Sequence, residues 1–342
     1  MRKRWIIGGV GLAVLLGAAY TGYWFWLART VEQNLVLWVD EQRAMGYGLD
    51  YEAAQPGGYP LSIRIALSRV EIDSPSGQPS WRLSTVSKVL SIAPWAPLSI
   101  RIVDGVKSVP CDVRWVAGGR DYALSLNGMD LTIRLSSDGA LPAIRLGGQA
   151  ADVTEQGRQI LTLGKPSGSV DFLPAQSDME SSVQFQLTAD GADFTPPTEP
   201  TVVRTSDWLV AGEVKGPVPL APLPAALTAW SSAGGHVELT RFNANWETAT
   251  TVSGDGTVAL DQRLQPVGAF SAVVRGYDEA VDAALARGLM TPAEGAAVKV
   301  WLAARAEKDE RGLKVKLPLT IQDGFLSMGP VKLVQVPRIA WQ

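Results

Sequence analysis

Cysteine and histidine are nearly missing from these 342 residues, with one of each, Cys111 and His236. A single cysteine excludes an internal disulfide and any cysteine-rich zinc site. A single histidine excludes every metal centre that needs two imidazoles. A large excess of one charge is missing as well: 31 basic residues face 34 acidic ones, for a net charge of −3, which argues against nucleic acid as a partner. Catalytic signatures are also lacking. There is no phosphate-binding GxxxxGK loop, no GxGxxG opening a helix after a strand and no GxSxG elbow. His236 follows Gly234 and Gly235 at the start of VELTRF, and no serine has the context to use it as a base. Asp255 in SGDG and Asp323 in QDG read as turn aspartates, whose side chains bond nearby backbone, and no DxDxDG run suggests calcium. Cys111, beside Pro110, reads as a buried small residue. The expectation is a chain that is not an enzyme and carries neither metal nor cofactor.

What is present begins with a membrane signal. Residues 5–27, WIIGGVGLAVLLGAAYTGYWFWL, carry no charge, and as a helix they would extend roughly 35 Å, enough to cross a hydrocarbon core of about 30 Å. Arg2, Lys3 and Arg4 precede the run and place the N-terminus in the cytoplasm. Trp5 at one end and Tyr20, Tyr23, Trp24, Phe25 and Trp26 at the other match the aromatic belts of the two interfaces. The alternative is a cleaved signal peptide with Gly17 and Ala19 before the cut. That cut would leave an exposed aromatic start, so the anchor is preferred. Either reading sends residues 28–342 across the membrane. In a bacterium this is a single-pass inner-membrane protein with its bulk in the periplasm, an oxidising space in which one lone cysteine implies no bridge.

Residues 28–46 read as an amphipathic helix leaving the membrane, with Val31, Leu35, Trp38 and Met45 as its apolar stripe and Gly46 and Gly48 as its stop. The period then changes to two. Leu61, Ile63, Ile65 and Leu67 alternate with polar residues, as do Tyr122, Leu124 and Leu126; Leu131, Ile133 and Leu135; and Val183, Phe185 and Leu187. The longest such row is Leu313, Val315, Leu317, Leu319 and Ile321, with Pro318 on its other side marking an edge strand or bulge. Turn signals at 136–139, 147–148, 165–168, 189–191 and 253–256 separate the strands and favour an antiparallel sheet. TPPTEP at 195–200 reads as a surface loop, and GPVPLAPLP at 216–224 as an extended connector with Leu220 and Leu223 pinned to the core. A soft boundary near 200 divides a β-rich first half (47–200) from a β-rich second half (201–342). The second half holds a helical hairpin near 277–306, with a capping box at Thr291, Pro292 and Glu294. The fold class is mostly β: a transmembrane helix, then a curved antiparallel sheet with that hairpin.

Three segments carry a resemblance: GGYPLSIRIALSRVEIDSP at 57–75, with Gly58, Tyr59 and Pro60 as its turn motif, APWAPLSIRI at 93–102, and LPLTIQDGFLSMGPVKLVQVP at 317–337. In this order after an anchor, they resemble an uncharacterised alphaproteobacterial envelope family, domain of unknown function twenty-one twenty-five. The closing segment is loosely similar to AsmA-like periplasmic proteins, whose long curved sheets are implicated in moving phospholipid. The resemblance implies an inner-membrane partner and a phospholipid or other hydrophobic ligand. An apolar sheet face left uncovered would hold acyl chains by the area effect that fills a core, and Leu313, Val315, Leu317, Leu319 and Ile321 are the candidate groove. The twelve tryptophans, among them Trp81, Trp95, Trp115, Trp208 and Trp246, either fill core and pack sheet edges or line such a groove. The alternative function is an assembly module that recruits envelope proteins through an exposed sheet edge.

Overall fold

The computed structural model describes residues 2–75, 80–106, 108–136, 142–195, 202–219, 223–246, 249–286, 290–328, 331–336, 338–339 and 341, with side chains described from Gly11 onward except at 331, 333 and 334. It opens with a single helix, α1 (Arg2–Ala44), which is long and apolar enough to cross a membrane. Leu12, Val14, Leu15 and Leu16 are exposed around it. From Trp24 onward one side is buried: Trp24, Leu27 and Ala28 close over Ile63, and Val31 and Leu35 pack on Ile65 and its neighbours. The stripe then runs to Val39, which is buried, and not to Trp38 or Met45, which are exposed. Positions 31, 35 and 39 follow one another along one face of the helix, whereas 38 turns away from it. Gly46, with φ +93, ends the helix as expected.

The sheet is a meander in chain order, and every ladder in it is antiparallel. It starts with β1 (Gly48–Ala53), β2 (Ile63–Asp73) and β3 (Trp81–Ala93). Four long strands follow, each broken at its middle into two pieces. They are β4 (Ala96–Asp104) with β5 (Cys111–Ala117), β6 (Arg120–Asn127) with β7 (Asp130–Arg134), β8 (Ala143–Gly147) with β9 (Ala150–Glu155), and β10 (Arg158–Gly164) with β11 (Ser167–Phe172). The pieces β4, β7, β8 and β11 pair in series as an upper limb, and β5, β6, β9 and β10 as a lower limb. Both limbs join β3 on one side and the unbroken β12 (Ser181–Phe194) on the other. Then come β13 (Val203–Lys215), α2 (Leu223–Ser232), β14 (His236–Trp246), β15 (Thr251–Leu260), β16 (Pro266–Arg275), the helices α3 (Tyr277–Ala286) and α4 (Pro292–Ala303), the short arm β17 (Glu307–Asp309), β18 (Gly312–Gln322), β19 (Phe325–Met328) and β20 (Val331–Gln335). β12 and β13 pair over nearly their whole length, so the sheet is continuous across the boundary placed near residue 200.

The strand breaks line up as one transverse crease. Gly105 donates to Ser87 O (2.7 Å), Gln149 to Asn127 O (2.8 Å), Gly148 to Pro166 O (2.9 Å) and Lys165 to Gln149 O (3.0 Å). Ser87, Gly128 and Lys165 have positive φ there, the irregularity by which strands bend. The sheet folds toward its apolar side, because Ile102 of the upper limb packs against Cys111, Leu126 and Ala151 of the lower limb and Met129 of the break between them. Lys88 sits in the crease with 1% of its side chain exposed and pairs with Asp104. It also donates to Val109 O, and Ser108 donates to the other Asp104 oxygen. The opposite face is laced by cross-strand ion pairs such as Arg101–Asp130 and Arg145–Asp171.

Several expectations change. SGDG at 253–256 is no turn: it lies inside β15, and Asp255 is an exposed mid-strand residue. The glycines at 147–148 and the KPSG segment are crease positions, and 189–191 lies within β12. The connector after Val218 gives way to helix α2, which buries Ala226 and Trp230, while Leu223 opens the helix exposed. Pro224 at the second helical position costs no intrahelical bond, so its proline starts the helix where extension was expected. Leu220, residues 196–200 and 137–139 lie outside the described residues. The capping box stands as expected, with Thr291 and Glu294 bonded reciprocally. The hairpin buries Tyr277, Val281 and Leu302 against Val315.

An apolar trough as the candidate functional site

Strand register assembles alternating residues into two continuous rows across the inner face. The first passes from Ile63 to Ile92, Ile100, Ile133 and Ile144. It continues through Val170, Phe185, Gly212 and Leu239 to Gly256, Phe270, Leu319 and Met328. The second runs beside it from Ile65 through Leu90, Ile102, Leu131 and Leu146 to Gly168, Leu187, Val210, Phe242, Gly254, Ala272 and Leu317. With strands about 4.8 Å apart, the first row is roughly 60 Å long. No charged or hydrogen-bonding side chain interrupts either row.

Glycines set the floor. Built on Gly212, a Cβ would stand 3.0 Å from the Phe185 ring, and on Gly254 it would stand 2.7 Å from the Phe242 ring. On Gly256 or Gly268 it would press on Phe270. Each phenylalanine thus lies down over a glycine of the neighbouring strand, the packing by which an aromatic ring covers a bare stretch of backbone. Phe242 and Phe270 meet edge to face at 6.5 Å.

The two ends of the trough are filled and the middle is not. α1 covers Ile63, Ile65, Leu90 and Ile92, which are buried. At the other end the hairpin of α3 and α4 covers Val274, Val315 and Leu317. Between them, Leu146 and Leu187 remain 38% and 42% exposed, and the neighbouring row residues are only half-buried. The row Leu313, Val315, Leu317, Leu319 and Ile321 is therefore divided. Val315 is core with no exposure, Leu317 leans on that core, Leu319 and Ile321 continue the inner face, and Leu313 is 52% exposed at the β17–β18 arm. Among the described residues β19 pairs with β18 only from Leu319 onward, and Pro318 pairs with Ser271 of β16. The rest of the trough escaped the sequence reading, although a signal was present: Pro-Leu-Ser-Ile-Arg-Ile occurs at 60–65 and again at 97–102. The two copies flank β3 and supply Ile63, Ile65, Ile100 and Ile102.

The two rows themselves carry no titratable group; beside them in the crease the buried Lys88 is neutralised by Asp104. At the arm, Arg275 (2.9 and 2.6 Å) and Lys314 (3.0 Å) hold the Asp309 carboxyl well below the usual carboxylate range. Burial pushes the Cys111 thiol up. Among the described residues no group of His, Cys, Asp and Glu side chains is arranged to hold a metal ion. A second cleft, of about 730 Å³, lies at the strand ends opposite the α1 contact, where Trp81, Trp115 and Tyr122 meet Arg82 and Arg114. The Trp115 and Tyr122 rings stack there at 5.5 Å.

The model of an uncharacterised family conserved in bacteria, DUF2125, matches residues 24–337. The chain belongs to that family. No curated protein and no solved structure matches it, and the likeness to AsmA-like proteins finds no support there. The DUF2125 match begins at Trp24, where α1 first packs on the sheet, and it takes in both inner rows. The turn motif of this DUF2125 chain is part of the same contact. Gly58 has φ +94, and a Cβ on it would stand 2.6 Å from Ser62 O. Tyr59, joined to Pro60 by a cis peptide, rests against Trp24 (5.5 Å, edge to face) and Phe25 (6.2 Å, stacked). The Trp24 indole N–H has no partner among the described residues, so its ring serves by its apolar area.

Proposed function

We propose that this chain holds a lipid, or a hydrophobic ligand of similar shape, in its trough at the periplasmic surface of a bacterial inner membrane, and that it catalyses no reaction. The observation that carries this reading is the pair of register-matched apolar rows that begin under the anchor helix and lie open between β7 and β15. Those seven strands span roughly 30 Å, about twice the depth of one leaflet's acyl layer. Each methylene moved there from water is worth about 0.8 kcal/mol, so ten of them supply roughly 8 kcal/mol before the cost of ordering the chain. The polar outer face and the half-buried inner face give such a ligand only one side to choose.

The test is lipid content. Leu187 points into the open middle and Gln186 to the outer face. Full-length protein with Leu187→Asp should co-purify with several-fold less lipid, measured by mass spectrometry, while Gln186→Asp keeps the wild-type amount and both give wild-type circular dichroism. Equal lipid on the two folded variants contradicts the reading. Recruitment of envelope proteins through a sheet edge is the outcome favoured if neither carries lipid and both still capture partners.

A further inference from the structure

We infer that the turn at 59–61 and the β3–β4 hairpin end at 94–98, made of the Pro94–Trp95 turn and the first three residues of β4, form a second membrane contact, dipping into the same leaflet surface from which α1 emerges. The inference rests on α1 spanning a membrane and is independent of what the trough holds. Three hydrogen bonds fix these segments to the helix at a known level. Tyr20 Oη donates to Pro60 O at 2.5 Å, Tyr23 Oη to Pro94 O at 2.8 Å, and the Tyr59 and Thr21 hydroxyls share a bond of 2.8 Å. Tyr20 and Tyr23 precede Leu27, the last residue of the uncharged run, by seven and four positions. At 1.5 Å per residue this places the segments roughly 6–10 Å on the membrane side of Leu27. Helical side chains lean toward the N-terminus, which here is toward the bilayer, so the segments sit no shallower than their partners.

The side chains there suit that depth. Leu61 is 68% exposed and Trp95 is 70% exposed, and Tyr59 and Leu98 are also exposed. Leu61 and Leu98 are the same position in the two Pro-Leu-Ser-Ile-Arg-Ile copies, each two residues before the isoleucine, Ile63 or Ile100, that joins the first inner row. No charged residue lies in 59–61 or 94–98. Tryptophan and tyrosine favour the interface, where a ring is half in hydrocarbon and its polar atom in the headgroups, and apolar anchors settle about 5–10 Å into that layer. On the wet side of a bilayer Leu61 and Trp95 would be an unexplained apolar patch. Set in the leaflet, they bring the rim of the trough to the acyl chains.

The test uses the full chain in phosphatidylcholine–phosphatidylglycerol vesicles. Leu61→Cys, Trp95→Cys and, as a reference at the other ends of the strands, Val116→Cys are labelled with an environment-sensitive fluorophore. Native Cys111 is buried and stays unlabelled in folded protein. Lipid-attached nitroxides should quench the labels at 61 and 95 at least threefold more than the label at 116. Equal, weak quenching at all three sites overturns the inference, as does a chain that alkaline extraction strips from the vesicles. A lipid-free trough with strong quenching at 61 and 95 sinks only the proposed function.

Discussion

Three positions show how single residues hold this fold. Gly58 needs its positive φ and lies against Ser62 O, so Gly58→Val should lower stability by about 1–3 kcal/mol in thermal unfolding; an unchanged transition would remove its structural role. Its importance is legible because Gly-Tyr-Pro before an alternating run announces a sharp entry into a strand. Lys88 is the opposite case. It is in phase with Leu90 and Ile92, and nothing local tells that Asp104 returns beside it after a hairpin. Asp104→Ala should strand the buried ammonium and cost about 3–5 kcal/mol, whereas a polar-to-apolar change on the outer face should cost little. Asp309 gives a pH signature. Its carboxyl is depressed by Arg275 and Lys314, so the stability it contributes is present above the unfolded value of about 3.9 and is lost as pH falls below it toward the folded value. The stability gap between wild type and Asp309→Asn should therefore be widest near neutrality and close in acid. A gap that does not change with pH would contradict the assignment.

Elements with internal rhythm could be read, and elements that depend on partners could not. The long apolar N-terminal helix, the capping box and the strands with clean alternation all lie where periodicity and capping put them, because those signals are local. Thr291→Ala should cost about 1 kcal/mol by undoing the cap, a loss that thermal unfolding would register and that an unaltered melt would refute. SGDG misleads because glycine and aspartate usually mark a turn. Here Gly254 and Gly256 are small so that Phe242 and Phe270, on the strands to either side, can lie flat. Gly256→Val should meet both Phe270 and Ala269 O and destabilise the domain by about 1–3 kcal/mol, on the usual scale of overpacking. The crease was illegible for a related reason: its residues are unremarkable singly and acquire meaning only when four strand breaks fall side by side.

At the scale of the whole molecule, the sheet is one amphipathic surface, polar outside and apolar inside, creased along one line and plugged at its ends by α1 and the α3–α4 hairpin. Sequence alternation gave the two faces strand by strand. It could not tell which stretch would be covered, since cover comes from helices far away in the chain. The row at 313–321 illustrates this: the longest alternation lies partly under the hairpin, while the open stretch belongs to shorter strands near Leu146 and Leu187. The central claim is that this open stretch holds lipid. Photo-cross-linking tests it most directly, with a benzoylphenylalanine placed in turn at Leu187, Gln186, Leu146 and Arg145 of the full chain in its native membrane. The account predicts lipid adducts at 187 and 146 and none at 186 and 145, a period of two that follows the inner face. Adducts at all four positions alike, or at none while the protein remains folded, would contradict it.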